Sequence, residues 1–141
     1  MLNAPDNRAA LWFGRVVWLG IAANLALAIP TLVVPDRMLE FARLPPATPL
    51  LWPRFAAWLL ILLSAFYVPG AVDPYRHRLV AQLSVLARLA GVVFFATQPA
   101  AYLPLGGLDL AFFIPEAILL TAALKHAAGH GSPFRTPSAA S

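Results

Sequence analysis

Four long apolar runs with few or no charged residues constrain this chain more than any other feature. They cover 16–34, 55–72, 79–97 and 108–124. Each run has 17–19 residues, and a helix of that length crosses roughly 30 Å of hydrocarbon at about 1.5 Å per residue. Because lipid offers the backbone no hydrogen-bond partner, each run must satisfy its own peptide groups as a helix. The sequence therefore predicts an all-α membrane protein with four transmembrane helices in a bundle.

The low charge content excludes the soluble classes of protein. Charged residues make up 11% of the 141 residues and hydrophobic residues 60%, whereas soluble domains average about 25% charged residues. The net charge of +4 is spread over the flanks of the apolar runs, which is typical of membrane helices and indicates a lipid bilayer rather than nucleic acid as partner. The absence of cysteine excludes disulfides and iron–sulfur clusters.

The segments outside the four runs differ in character. We expect a single transmembrane domain over 1–126 and a flexible tail over 127–141, which is rich in small and turn-forming residues. In the connection between the first and second runs, Asp36 is expected to cap a short amphipathic helix that lies in the membrane interface and ends before Pro45. The alternative is an irregular loop from Ala42 onward, because of the prolines there. The connection 98–107 is predicted to be an apolar outer loop that lies on the membrane surface or against a protein partner, and it supports the accessory-subunit hypothesis given below.

The distribution of basic residues predicts the orientation. Six lysines or arginines lie on the side of the two termini and three on the other side, so the positive-inside rule places both termini in the cytoplasm of a bacterial inner membrane. An alternative is a cleaved signal peptide, because Arg8 and Arg15 precede an apolar stretch with a possible cleavage site at 26–28. The run continues to Val34, which favours a retained helix.

Arg88 and Glu116 are ionisable residues inside predicted spans. Each costs about 2.5–3.5 kcal/mol to insert, so such residues usually face the protein interior and have a partner. Counted from Arg78 and Lys125, both lie at a depth of roughly 14 Å on consecutive antiparallel helices. The matched depth predicts an ion pair. The alternatives are that Glu116 carries protons with Arg88 as modulator, or that one of the two pairs with another subunit.

Asn24 of the first span and Ser64 of the second lie at a comparable depth. Together with Arg88 and Glu116 they are predicted to form a polar layer inside the bundle, since polar side chains in lipid seek partners on neighbouring helices. This layer is interpreted either as a satisfied structural network or as a binding site for a quinone head group or another small polar ligand.

Signals of catalysis and of bound metal are missing from the sequence. His77, His126 and His130 all lie outside the spans, so the paired intramembrane histidines of a b-type haem are absent. No nucleophile has a base near it, and no spacing indicates a metal site or a phosphate loop. We therefore predict no catalytic residue, no metal and no cofactor.

Several segments resemble the DoxX-like group of small four-helix membrane proteins. They are Arg15 in an Arg-x-x-x-Leu-Gly pattern, the segment from Asp36 through Phe41-Ala42-x-Leu44-Pro45, and a proline-bounded approach to the second span over 49–54. The resemblance covers roughly 15–124. The chain departs from the group in carrying Ser64 where members often have an acidic residue in the second span. The resemblance implies a small membrane component associated with oxidoreductase systems.

Two functional hypotheses follow. The first is a non-catalytic accessory subunit of a larger membrane complex, an electron-transfer or oxidoreductase assembly, with other subunits or further copies of itself as partners. The alternative is a small enzyme or carrier that binds a quinone or polar-headed lipid between its helices through Arg88 and Glu116.

Overall fold

A computed structural model describes residues 8–129 of the chain. It contains five α-helices and, within that range, no strand. The helices are α1 (Arg8–Val33), α2 (Pro35–Phe41), α3 (Leu51–Val72), α4 (Arg78–Ala96) and α5 (Leu103–Gly129), with a short 3₁₀ turn at Ala100–Tyr102 before α5. Of the predicted tail, residues 130–141 lie outside the described range.

Four of these helices are long and apolar enough to cross a membrane, namely α1, α3, α4 and α5. They pack against one another, and α2 is the short helix between the first and second spans. The predicted fold class is thereby confirmed, and the architecture is that of a multi-pass membrane protein. Three of these helices, α1, α3 and α5, begin several residues before the predicted apolar runs, because polar residues and prolines near an end do not by themselves stop a helix. Thus α1 already begins at Arg8 and α3 at Leu51.

Two local expectations were wrong. Most of the predicted loop 98–107 is helical, because Pro104 lies in the first turn of α5, where its missing N–H is no loss. Gly106 lies against α4, and a Cβ there would be 3.0 Å from the Cβ of Phe95. Asp36 does not cap α2: Val34 is the N-cap residue, Pro35 begins the helix, and Asp36 lies in its first turn without a side-chain capping bond.

The apolar core lies in the half of the bundle that is nearer the two termini. Its buried cluster combines the first half of α1 with the second half of α3 and parts of α4 and α5: Phe13, Val17, Ile21, Tyr67, Ala71, Ala81 and Leu120. Glycines allow the backbones to approach there. A Cβ on Gly14 would be 2.5 Å from the carbonyl oxygen of Ala71, and one on Gly70 would be 3.0 Å from the amide nitrogen of Ala81. We call this region the closed half.

The turn between α3 and α4 holds the closed half together. The Asp73 side chain accepts hydrogen bonds from the backbone N–H groups of Tyr75 and Arg76, each at 3.0 Å. The Tyr75 hydroxyl donates to the carbonyl of Ala123 on α5 at 3.4 Å. In the opposite half, toward α2, the helices leave a large space between them, which is described below.

Candidate functional site

The structure brings together all four residues predicted to form the polar layer. Each long helix contributes one of them: Asn24 from α1, Ser64 from α3, Arg88 from α4 and Glu116 from α5. Their exposed fractions are 3%, 2%, 4% and 1% respectively. The layer lies midway along the helices, between the closed half and the open space.

A directed chain of hydrogen bonds joins three of these residues. Arg88 Nη1 donates to Asn24 Oδ1 at 3.1 Å. Asn24 Nδ2 donates to Ser64 Oγ at 3.2 Å, and that hydroxyl donates to the carbonyl of Leu60 at 2.8 Å. Because each hydroxyl and amide group already has a defined partner, this chain fixes the orientation of Asn24.

Arg88 contacts two carboxylates, and the closer one was not predicted. Its Nη1 lies 2.9 Å from Asp109 Oδ1, which is a hydrogen-bonded ion pair. The predicted contact with Glu116 is longer, at 3.9 Å from Arg88 Nε to Glu116 Oε1. Within the described residues, Arg88 Nε and Nη2 and Glu116 Oε2 are buried without a hydrogen-bond partner.

Asp109 was overlooked because the fourth span was expected to begin at residue 108, which would have left this carboxylate at the membrane surface. Since α5 begins at Leu103, Asp109 instead lies in the second turn of the helix. It precedes Glu116 by seven residues, about two turns, so the two carboxylates project from the same face. That spacing is the signal in the sequence that identifies Asp109 as a member of the layer.

Two glycines and two aromatic rings surround the guanidinium group. A Cβ on Gly20 would lie 2.5 Å from Arg88 Nη2, and one on Gly91 would overlap the carboxylate of Asp109. The guanidinium carbon lies 5.0 Å from the ring centre of Phe112 and 5.8 Å from that of Tyr67. Rings within about 6 Å attract a cation, so these contacts hold Arg88 in place.

Next to the layer, in the half of the bundle toward α2, lies a cleft of about 800 Å³. Small-molecule sites typically have about 300–1,000 Å³. One wall is α3, the other is formed by α4 and α5, and α1 forms the back. The lining is mostly apolar and includes Leu27, Met38, Trp52, Leu60, Phe94 and Leu105.

Two polar residues of the layer also line the cleft, Asn24 and Asp109. Arg88 and Glu116 lie behind them and do not line it. Trp52, Leu59 and Leu63 line it as exposed side chains spread along α3, so the cleft opens sideways at the apolar surface of the bundle. Residues of α2 and of the segment 42–47 cover its end.

Metal-binding groups are not found in the part of the chain that the structure describes. No cluster of three or more His, Cys, Asp or Glu side chains occurs between residues 8 and 129. His77 lies in the turn before α4 and His126 near the end of α5. His130 lies outside the described residues. The absence of a cofactor stays a prediction.

Comparison with known proteins provides no relative. No protein family, curated protein or solved structure matches this chain. The resemblance to the DoxX-like group therefore stays a prediction.

Proposed function

We propose that this protein binds a lipophilic small molecule that has a polar head, taken up from the bilayer into the cleft between α3 and α4–α5. The observation that carries the proposal is the combination of an apolar space of about 800 Å³ with two polar residues, Asn24 and Asp109, at one side of it. Ligand sites are typically apolar cavities with a few placed polar groups.

The shape of the bundle supports this proposal. A purely structural bundle would continue the tight packing of the closed half along its whole length, because packing drives helix association in lipid. Here α3 approaches α1 and α4 closely at Gly14 and Gly70 in the closed half, whereas in the other half Gly106 keeps α5 against α4 and the space lies between that pair and α3. The opening along α3 gives a molecule dissolved in the bilayer direct access. We favour binding over catalysis, since the buried polar groups bind mainly to one another.

The accessory-subunit hypothesis stays a second prediction, but it has lost one of its supports. It relied on an apolar outer loop over 98–107, and from Leu103 onward that segment belongs to α5. The exposed apolar side chains on the four long helices are what a bilayer covers, so they do not require a protein partner. For the orientation, the charge distribution supports our proposal that both termini face the cytoplasm of a bacterial inner membrane.

Mass spectrometry of the protein purified in a mild detergent tests the binding proposal. The Ala56→Trp variant places an indole in the cleft, since Ala56 lines it. The matched control is Ala65→Trp, an exposed position outside the cleft lining on the same helix. Nine residues separate the two alanines, and at about 100° per residue they lie on opposite faces.

We expect wild-type protein and Ala65→Trp to retain one defined lipophilic species that Ala56→Trp loses. The same mixture of bulk lipids on all three proteins would contradict the proposal.

A further inference from the structure

The chemistry of the cleft narrows the class of ligand, provided that the proposed function holds. The residues of the polar layer do not face the cleft equally. The Asp109 carboxylate lines it, whereas the Arg88 guanidinium lies behind. Arg88 Nη2 is directed toward Gly20 on α1 and is fully buried. A molecule in the cleft therefore meets the carboxylate and not the cation.

One arginine of the layer faces two carboxyl groups, those of Asp109 and Glu116, so its positive charge is not in excess. Among the described residues, the Asp109 side chain accepts one hydrogen bond, from Arg88 Nη1 to Oδ1. Its second oxygen is left to accept a further hydrogen bond or to face a positive charge. An anionic head group would meet this carboxylate at close range and be repelled.

Aromatic rings line the same cleft. Trp52, Phe94, Phe95 and Tyr102 contribute to its walls, and the faces of such rings attract cations within about 6 Å. Carboxylate oxygen and aromatic faces together are the groups that recognise ammonium-type cations, while the apolar walls require the rest of the ligand to be hydrophobic.

We infer that the cleft takes a lipophilic cation, a hydrophobic molecule that carries an amine, a quaternary ammonium or a similar positive group. The positive group lies next to Asp109, and the hydrophobic part lies between α3 and α4. This inference deepens the proposed function and rests on it.

Two probe ions of the same shape and opposite charge test the inference on the full-length protein in detergent. Tetraphenylphosphonium is the cation and tetraphenylborate the anion, and equilibrium dialysis measures the binding of each. We expect saturable binding of the cation about tenfold or more tighter than that of the anion. Asp109→Asn should weaken cation binding about tenfold, and Asp36→Asn, which removes an exposed carboxylate outside the cleft lining, should leave it unchanged.

Equal or tighter binding of tetraphenylborate by the wild-type protein would overturn the inference, and this comparison needs no variant to fold. Unchanged cation binding by folded Asp109→Asn would overturn it as well. The proposed function and the cation class can fail separately. If the species retained by wild-type protein and lost in Ala56→Trp is neutral or anionic, the proposed function stands and the cation class is wrong. If neither ion binds and no species is retained, both are wrong.

Discussion

Arg88 is the residue whose loss should destabilise the protein most. Its guanidinium group is the partner of two carboxylates and of Asn24. With an effective dielectric constant of about 20, opposite charges attract by about 6 kcal/mol at the 2.9 Å to Asp109 and by about 4 kcal/mol at the 3.9 Å to Glu116. Most of this attraction offsets the desolvation of the three groups, so it is not a net gain. Removal of Arg88, however, leaves the two carboxylates without a positive partner.

We therefore expect Arg88→Leu to lower the free energy of unfolding by about 3–5 kcal/mol, the range seen when one partner of a buried ion pair is deleted. Asp109→Asn should lower it by about 1–2 kcal/mol, because it weakens a charged hydrogen bond but leaves Glu116 to balance the arginine. Glu116→Gln should cost less than about 1 kcal/mol, since its longer contact includes no hydrogen bond.

The combined variants make this reasoning testable. In the Arg88→Leu background, Asp109→Asn and Glu116→Gln should each restore stability, and the triple variant should be clearly more stable than Arg88→Leu alone. Unfolding is measured by titration with sodium dodecyl sulfate in mixed micelles, followed by circular dichroism. Arg54→Leu, at an exposed position on α3, serves as control and should change stability by about 0.5 kcal/mol or less.

Strictly additive losses of stability in the double variants would refute the view that Arg88 is the common partner of both carboxylates, because residues that share a partner must be coupled. A stronger coupling of Arg88 to Glu116 than to Asp109 would contradict the ranking derived from the two distances.

Two further predictions concern the glycine beside Asp109 and the topology. Gly91→Ala should lower the free energy of unfolding by about 1–3 kcal/mol, because its Cβ overlaps the Asp109 carboxylate. Gly107→Ala is the control: a Cβ there meets no atom within 4 Å, so denaturant titration should show no loss, and equal losses would contradict the close fit. Reporter fusions after Leu124 and within 100–105 should report the cytoplasm and the periplasm respectively; a periplasmic C-terminal fusion would refute the orientation.

The fold was largely predictable because its main constraint is local. A bilayer requires long apolar helices, and such runs can be read from the sequence alone. The depth of Arg88 and Glu116 within their runs was enough to place them in one layer. Asp109 was missed because it lies near the start of the predicted run 108–124 and was therefore placed near the membrane surface, whereas α5 begins at Leu103 and continues through Pro104, Gly106 and Gly107.

The cleft could not be predicted from the sequence, since it depends on tertiary packing. Aromatic residues such as Trp52 and Tyr102 near the ends of apolar runs are common at the membrane interface, but the structure places both in the lining of the cleft. Helical periodicity alone does not distinguish an apolar side chain that faces lipid from one that faces a space between helices. The same limit applies to the closed half. Gly14 and Gly70 can be recognised as positions of close helix approach only when the backbones opposite them are known.

Thermal unfolding of the delipidated protein tests the central claim, a ligand site in the cleft, most directly. A ligand that binds only the folded state raises the free energy of unfolding. Once the ligand concentration exceeds Kd, this increase grows with the logarithm of that concentration. Added lipid extract from the source membranes should raise the Tm of wild-type protein and of Ala65→Trp in a saturable manner, with no such rise for Ala56→Trp. An equal rise in all three proteins would contradict the account, because it would show that the lipids act on the outer surface and not in the cleft.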